Sequence, residues 1–329
     1  MDLEFLKDKS VLVTGGTGSF GQKCVRTLLE QSRARRVIVF SRDELKQSQM
    51  QTAFTDRDDR LRFFLGDVRD ATRLNRAFHG VDYVIHAAAL KQVPALEYNP
   101  FEAIQTNIIG TQNVINAAID QGVEKVMLIS TDKAANPANL YGATKLCAER
   151  LCISSNFYTG GKTKLSAVRY GNVLGSRGSL LKLVEEQRKT GVVQLTHQDM
   201  TRFWITLDQG VELVLKGLER MQGGEIFIPK IPSMRVGDLL KILAPECEIK
   251  VIGIRPGEKL HEVLVTPEEA RHTVELEDVY VIYPEFSFGR DLVSHLKGKP
   301  LDPGFAFTSD KNTAWLDEAG LKRLLDSLK

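Results

Sequence analysis

The chain has 329 residues, of which 43% are hydrophobic and 26% are charged, as is ordinary for a folded globular protein with a sizeable core. Its 44 lysine and arginine residues nearly balance its 42 aspartate and glutamate residues, which leaves a net charge of +2. So small a net charge excludes the strong positive field of a protein built to bind nucleic acid.

The four cysteines, Cys24, Cys147, Cys152 and Cys247, have neither a CxxC spacing nor nearby histidine partners. This pattern argues against a disulfide framework and against a zinc site, so we expect no bound metal. The amino-terminal residues lack the apolar region of a signal peptide, and no apolar run reaches the roughly 18 residues of a membrane span. We therefore expect a cytoplasmic protein.

The first predicted strand, 10–14, runs directly into a glycine-rich turn and then into a helical stretch at 22–31. The GxxGxxG spacing permits a tight turn and lets the backbone approach a pyrophosphate at the start of the helix. A glycine-rich turn alone is weak evidence for a binding site, but its position between a strand and a helix is typical of a dinucleotide site. The turn residues assigned to the cofactor are Gly15, Thr17, Gly18, Ser19, Phe20 and Gly21.

The second strand, 37–40, ends at Ser41 and Arg42. At this position an acidic residue holds the ribose 2′-hydroxyl of NAD, whereas an arginine accommodates the 2′-phosphate of NADP. The sequence therefore favours NADP. Asp43 follows directly, and its simplest role is to cap the helix predicted at 44–53.

Two further strands, 61–65 and 81–85, end in residues that can face a cofactor. The second of these runs through His86, which we interpret as a packed histidine because nothing nearby requires a base. A long helix is predicted at 101–119, opened by an Asn-Pro pair. The residues assigned to the cofactor here are Asp67, Val68, Ala87, Ala88 and Ala89.

The fifth strand, 126–130, is followed within fifteen positions by Asp132, Lys133, Tyr141 and Lys145. The last two lie four apart at the start of a helix, so their side chains share one face. A lysine charge there favours the phenolate and moves the tyrosine pKa toward neutrality, as a general base requires. Each residue alone is equally consistent with a charged turn before a surface helix, but the four together favour catalysis.

A sixth strand, 165–170, continues the regular alternation of strands and helices. This pattern predicts an α/β fold of the Rossmann type, a doubly wound parallel sheet with helices on both faces. Residues 1–171 are expected to form the NADP-binding domain, which also receives the helix near 206–220. Residues 172–329 are expected to form mainly a smaller, mixed and discontinuous substrate-binding lobe.

Two isolated arginines, Arg202 and Arg255, lie in loop-like segments of this second lobe. Guanidinium groups suit bidentate contact with phosphate, which favours a role in binding a diphosphate. A plain surface arginine is an equally consistent interpretation of each one.

The glycine-rich turn, together with Tyr141-Gly142-Ala143-Thr144-Lys145, resembles the extended short-chain dehydrogenase/reductase superfamily, whose members modify nucleotide sugars. Within it, Asp132-Lys133 resembles the inverting UDP-N-acetylglucosamine 4,6-dehydratases, since retaining sugar 4,6-dehydratases typically carry Asp-Glu there. Tyr141 favours the branch that opens pseudaminic acid biosynthesis for glycosylation of flagellin and other bacterial surface structures. The resemblance covers almost the whole chain, including segments 88–94, 97–100, 199–204, 255–262 and 309–312.

The resemblance implies a mechanism in which Tyr141, with its pKa lowered by Lys145 and by the cationic nicotinamide, takes the C4 hydroxyl proton as hydride passes to NADP. Lys133, as a neutral amine of depressed pKa, then removes the C5 proton, and Asp132, with a raised pKa, protonates the departing C6 hydroxyl. Return of hydride to C6 and protonation of C5 from the opposite face give a 4-keto-6-deoxy sugar of L-arabino configuration. NADP is thus recycled and tightly bound.

The resemblance also implies further binding roles. The cofactor site would include Lys91 together with Tyr141 and Lys145. The residues assigned to the UDP-sugar substrate are Lys91, Thr131, Asn172, Arg177, Arg202, Arg255 and Glu258.

Two other functions stay open at this point. The same pocket suits a nucleotide-sugar epimerase acting at C4 or C5, and loss of the C6 oxygen separates the two reactions. A non-catalytic NADP-sensing protein on the same fold predicts loss of Tyr141 or Lys145, and both are present. The expected partner is a UDP-sugar, without nucleic acid or membrane, and the resemblance implies a homo-oligomer of two subunits or more, up to a hexamer.

Overall fold

The computed structural model of the chain describes residues 1–54, 59–176, 180–286 and 295–326. Within these ranges, no helix is both long and apolar enough to cross a membrane. The helices are α1 Ser19–Gln31, α2 Glu44–Ala53, α3 Ala71–Ala77, α4 Val93–Tyr98, α5 Pro100–Ala103, α6 Gly110–Asp120, α7 Leu140–Ser155, α8 Leu180–Arg188, α9 Leu207–Arg220, α10 Val236–Leu243, α11 Pro267–Ala270 and α12 Glu318–Asp326. The strands are β1 Ser10–Thr14, β2 Arg36–Ser41, β3 Leu61–Leu65, β4 Tyr83–His86, β5 Lys125–Ile129, β6 Lys164–Val168, β7 Asn172–Val173, β8 Val192–Leu195, β9 Thr201–Ile205, β10 Ile226–Pro229, β11 Ser233–Arg235, β12 Glu248–Val251, β13 Val263–Val265, β14 Thr273–Glu275, β15 Val279–Ile282, β16 Lys299–Pro300 and β17 Phe307–Thr308.

The largest sheet has the order β3-β2-β1-β4-β5-β6-β10-β15-β14-β16 in the described ranges. Its strands from β3 to β10 are all parallel, and the last three are antiparallel. The central residues Val11, Leu12 and Val13 are completely buried, as expected for strands covered on both faces. The predicted Rossmann-type parallel sheet is confirmed. Its strand order reverses between β1 and β4, which opens the crevice where such sheets bind ligands.

The helix predicted at 101–119 is present, but it is not uniform. A π-helical segment, Ile104–Ile109, lies between α5 and α6. It places the buried Asn107 so that its side chain accepts the N–H of Leu90 and donates to the Leu90 carbonyl and to Thr144 Oγ1. Hydrophobic periodicity cannot reveal such a segment, because one wider turn barely changes which residues face the core.

The chain after residue 172 alternates between a smaller lobe and the large sheet. The smaller lobe contains the three-stranded sheet β11-β9-β7 and the pairs β12-β8 and β13-β17. Helix α9 packs against α1, β5 and β6, and β10, β14, β15 and β16 all extend the large sheet. The sequence interpretation called this lobe discontinuous and named the helix near 206–220 as its part in the first domain, without naming the strands that extend the large sheet. Short strands separated by irregular loops gave no alternation from which to place them.

One buried guanidinium joins these parts. Arg169, directly after β6, is completely buried and donates to both oxygens of Glu149 on α7 and to both oxygens of Glu269 on α11. It also donates to the carbonyl of Leu264 in β13. All five N–H groups of the guanidinium are therefore paired, which offsets the cost of burying the charges.

We predict that Arg169→Ala lowers the free energy of unfolding by about 3–5 kcal/mol, because it leaves two buried carboxylates without their cation. Chemical denaturation followed by circular dichroism measures this loss. The control is Arg220→Ala, which removes a half-exposed arginine bonded to Asp278 and should cost no more than about 1 kcal/mol. Equal losses in the two variants would contradict the role given to Arg169.

Candidate active site

The chain turns sharply where β5 ends, and hydrogen bonds fix this turn. Thr131 accepts the N–H of Lys133 and caps a single 3₁₀ turn, Asp132–Ala134. Asn139 then caps α7 by accepting the N–H of Gly142 at 2.8 Å. The close approach requires glycine at position 142, since a Cβ there would lie 2.1 Å from the Lys133 carbonyl oxygen.

Lys133 lies between two buried carboxylates. Its Nζ is 3.0 Å from Asp132 Oδ1 and 3.2 Å from Oε1 of Glu262, a residue of the second lobe. Burial acts to lower the pKa of Lys133, but the charges of Asp132 and Glu262 outweigh it and raise the pKa above its ordinary value. The expectation of a depressed pKa is therefore wrong for the protein alone, because it took account of neither the charge of Asp132 nor that of Glu262.

Asp132 is completely buried directly behind Lys133. Burial raises its pKa, and the nearby charge of Glu262 adds to the rise, while Lys133 and Thr131 oppose it. The expected direction is thus present, with full rather than partial burial as its cause. Its Oδ2 has no hydrogen-bond partner among the described residues.

Tyr141 and Lys145 both reach the same cavity from the first turns of α7. Burial raises the pKa of Tyr141 to about 12, and the charge that opposes this rise belongs to Lys133 rather than Lys145. The predicted lowering of the tyrosine pKa by Lys145 is therefore wrong in the protein alone. Burial also lowers the pKa of Lys145 to about 8, which makes its charge easy to lose.

A cavity of about 530 Å³ connects Lys133, Tyr141 and Lys145 with the glycine-rich turn and with the first strand of the second lobe, whereas Asp132 and Glu262 lie behind its wall and do not line it. It adjoins a cavity of about 290 Å³, lined by Ser41, Arg42, Asp67 and Val68, that shares the turn residues. All the residues assigned to the cofactor line one or both cavities. These are Gly15, Thr17, Gly18, Ser19, Phe20, Gly21, Ser41, Arg42, Asp67, Val68, Ala87, Ala88, Ala89, Lys91, Tyr141 and Lys145.

The glycine turn fits the backbone of a dinucleotide. Gly15 has a φ of +65°, and a Cβ there would lie 2.9 Å from backbone atoms of Ala88. A Cβ at Gly21 on α1 would lie 2.5 Å from Gly16, so the helix can pack this closely against the turn only with glycine. The turn thus directs the amino terminus of α1 at the cavity, as a pyrophosphate site requires.

The residues assigned to the substrate separate into two groups. Lys91, Thr131 and Asn172 line the larger cavity. Arg202 does not, because its guanidinium is buried and donates to the carbonyls of Thr201, Lys259 and Leu260. The prediction that it faces the nucleotide is therefore not supported by its position.

The other residues assigned to the substrate lie near Arg202, except for one that falls outside the residues that the structure describes. Glu258 is 3.6 Å from Arg202 and accepts the N–H of Arg255 at 3.4 Å, and neither residue lines the larger cavity. Arg177 lies outside the described residues. His86 is buried between Thr14 and Thr111, as its interpretation as a packed histidine predicted.

Two functional candidates were missed by reasoning from the sequence. Glu262 lies beside Lys133, but the sequence analysis included it only within the segment 255–262 and gave it no role. Trp204 lines the cavity and pairs in register with Asn172, and Trp204 Nε1 and Asn172 Oδ1 are buried without a partner in the described chain. Unpaired polar atoms at a cavity wall suit a polar ligand. An aromatic residue in a strand gives no such signal in the sequence.

Comparison with known proteins places the chain in a family. Residues 11–284 match the family described as polysaccharide biosynthesis protein, and the chain belongs to it. The chain is 48% identical over 329 aligned residues to a UDP-N-acetylglucosamine 4,6-dehydratase (inverting) of Campylobacter jejuni, with 97% of each chain covered. It is 43% identical to a UDP-glucose 4-epimerase of Rickettsia conorii, covering 87% of this chain and 85% of the other. The solved structure of Pen from Bacillus thuringiensis is 39% identical, with a TM-score of 0.90, covering 98% and 99% of the two chains.

We predict that Gly15→Ala removes the dinucleotide from the purified protein, because the added methyl group would collide with the backbone of Ala88. Cofactor released on denaturation, measured by absorbance, tests this. Gly80→Ala is the matched control, since Gly80 has a φ of +69° but open space around its Cβ. Gly80→Ala should lose about 1–2 kcal/mol of stability from its left-handed backbone, and Gly15→Ala should lose more because of the added collision. Retention of cofactor in both variants would contradict the close approach.

Proposed function

We propose that this chain dehydrates UDP-N-acetylglucosamine across C4 to C6 with inversion at C5. The observation that carries the proposal is the Asp132-Lys133 pair at the end of β5, with Lys133 in the same cavity as Tyr141 and Lys145. The name of the Campylobacter jejuni relative supports it. The product would be UDP-2-acetamido-2,6-dideoxy-β-L-arabino-hex-4-ulose.

The chain's own residues divide the proton transfers. A bound nicotinamide dinucleotide supplies temporary oxidation at C4 and the matching reduction at C6. Tyr141 takes the C4 hydroxyl proton, and the resulting ketone makes the C5 proton acidic. Lys133 removes that proton, and Asp132, whose pKa is raised by burial, donates the proton that releases the C6 hydroxyl as water. Return of a proton to the opposite face of C5 gives the inverted product.

This mechanism requires a change in Lys133 on substrate binding. The amine must be neutral to accept a proton, whereas the free protein stabilises its ammonium form. Lys91 is a second lysine near Lys133. Burial lowers the pKa of Lys91, and the positive charge of Lys133 lowers it further. A substrate that fills the cavity would bury Lys133 further, which favours the amine.

We further propose NADP as the cofactor. Arg42 and Lys46 both line the smaller cavity at the tip of β2, where a 2′-phosphate would lie. Asp43 is committed elsewhere, since it caps α2 and accepts from Lys46. Within the described chain, Arg42 pairs only with Asp67 at 3.4 Å, which leaves its guanidinium further N–H groups for a 2′-phosphate.

We also propose that the product feeds pseudaminic acid biosynthesis in the cytoplasm, and that the chain works as a homo-oligomer of at least two subunits. The supporting observation for the location is the chemistry of the substrate, a nucleotide sugar. For the oligomer, it is the exposed apolar surface of Tyr98, Phe101 and Ile109 beside α7.

An epimerase is the second candidate, and the name of the Rickettsia conorii relative favours it. The same tyrosine and lysine would serve oxidation at C4, without loss of an oxygen atom. Incubation with UDP-N-acetylglucosamine in D₂O, followed by NMR, separates the two. We expect a C6 methyl group, deuterium at C5 and L-configuration there; an intact C6 hydroxyl or a D-configured product would overturn the proposal.

In the same assay, we predict that Lys133→Ala loses turnover and C5 exchange by at least about 100-fold, as expected when a proton-transfer group is removed. Retained cofactor shows that the variant is folded. Lys230→Ala is the control, because this lysine pairs with Glu275 away from the cavity. Near-normal turnover of Lys133→Ala would remove this lysine from the mechanism.

We predict that Arg42→Ala weakens binding of NADP by about 10- to 100-fold and leaves NAD binding unchanged, since a hydrogen bond to a charged group contributes about 1.5–3 kcal/mol. Calorimetric titration of cofactor-free protein measures both affinities. The exposed Arg188, paired with Glu246 in the second lobe, provides the control variant Arg188→Ala. An equal loss for both cofactors would argue against the 2′-phosphate contact.

A further inference from the structure

Glu262 is a buried carboxylate that the proposed reaction does not yet use. It directly precedes β13, and only 2% of its surface is exposed. Its Oε1 is 3.2 Å from the Nζ of Lys133. The second lobe thus supplies a charge to the side chain that removes the C5 proton.

The backbone of Glu262 is held in place on both sides. Its N–H donates to the hydroxyl of the buried Ser309 at 2.9 Å, and its carbonyl accepts the N–H of Ser309 at 2.9 Å. Two residues further on, the carbonyl of Leu264 accepts from the buried Arg169. The carboxylate therefore has little freedom to turn away from Lys133.

The other cationic side chains near Glu262 donate hydrogen bonds to backbone carbonyls. Arg202 Nε is 3.8 Å from Glu262 Oε1, but its other nitrogens donate to carbonyls. Lys259 is 3.8 Å from Oε2, and its Nζ donates to the Ala135 carbonyl at 2.6 Å. Lys133 is thus the cation nearest to Glu262, and Oε2 has no hydrogen-bond partner in the described chain.

The charged and titratable groups around Lys133 come from four segments. Asp132 and Glu262 favour its ammonium form, and Arg202 disfavours it. The charge of Lys133 in turn acts to lower the pKa values of Tyr141 and Lys91. Lys259, from the second lobe, interacts electrostatically with both carboxylates and with Lys133. Of the two carboxylates, Asp132 is the proposed proton donor and must be neutral in its step, which leaves Glu262 as the lasting negative charge.

We propose that Glu262 is a positioning residue that orients the Nζ of Lys133 beside Asp132 and sets the pH range in which Lys133 removes the C5 proton. The inference rests on the proposed function, because it takes Lys133 as the group that acts at C5. Glu262 touches no reacting atom in this scheme. It acts through the charge and position of Lys133 alone.

The test compares Glu262→Gln with the native enzyme. The substitution keeps the shape of the side chain and removes its charge, so the ammonium form of Lys133 loses a neighbour. We expect the pH at which turnover rises to move down by about one unit or more, since an opposite charge within 4–6 Å shifts a pKa by that amount. The pKa of Lys133, followed by NMR of ¹³C-labelled lysine in the holoenzyme and assigned with Lys133→Ala, should fall in parallel.

Two further variants separate positioning from a general loss of structure. Glu262→Asp keeps the charge at shorter reach, and its pH profile should lie between those of the native enzyme and Glu262→Gln. Glu225→Gln alters another buried carboxylate, which is bonded to Ser166 and to the N–H groups of Gln222 and Gly223. It should lose stability and leave the pH profile unmoved.

A pH profile and a Lys133 pKa that are both unchanged in Glu262→Gln would overturn the proposal. If Glu262→Gln does not fold, the pH profile of Glu262→Asp decides in its place. A shift to lower pH supports the proposal, and an unchanged profile overturns it. If the native enzyme leaves UDP-N-acetylglucosamine unchanged, the proposed function fails. The NMR titration of Lys133 still shows whether Glu262 controls that lysine.

Discussion

The guanidinium of Arg169 is the interaction on which the arrangement of the site depends. It is completely buried between Glu149 on α7 and Glu269 on α11, and it also holds the carbonyl of Leu264. A buried charge is tolerated only when its desolvation is offset by well-formed partners, so these elements have little room to move apart. Arg169 thereby fixes the second-lobe segment that carries Glu262 against the helix that carries Tyr141.

This constraint explains why groups with opposite protonation preferences can share one site. Burial raises the pKa of Asp132, whereas the charges of Asp132 and Glu262 raise the pKa of Lys133, and the charge of Lys133 lowers the pKa of Glu262. Lys145 lies a short distance along α7, and burial makes its charge easy to lose. Acid and base roles are separated in this way, by environment rather than by residue type.

Three contacts join the two parts of the chain at the turn that follows β5. Besides the contact of Glu262 with Lys133, the side chain of Asn139 donates to the Gly257 carbonyl at 2.8 Å, and Lys259 donates to the Ala135 carbonyl. The larger sheet contributes the glycine turn and the crevice at its switch point. The smaller lobe contributes the wall with Asn172 and Trp204. The cavity is complete only because the chain returns repeatedly between the two parts.

The sequence alone determined the parallel sheet, the glycine turn and the grouping of Asp132, Lys133, Tyr141 and Lys145. Strand periodicity, glycine spacing and the positions that follow one strand are local signals, and local signals survive in a linear sequence. The residues that these signals and the family resemblance assigned to the cofactor all line one or both cavities.

Only the tertiary structure decided what these residues experience. It brought Glu262 to Lys133, turned Arg202 toward backbone carbonyls, and reversed the expected pKa directions of Lys133 and Tyr141. A pKa depends on burial and on neighbours from distant parts of the chain, and neither is encoded in the spacing of nearby residues. The sequence thus determined the groups that follow β5, and the packing of the two lobes added Glu262 and decided the direction in which each pKa moves.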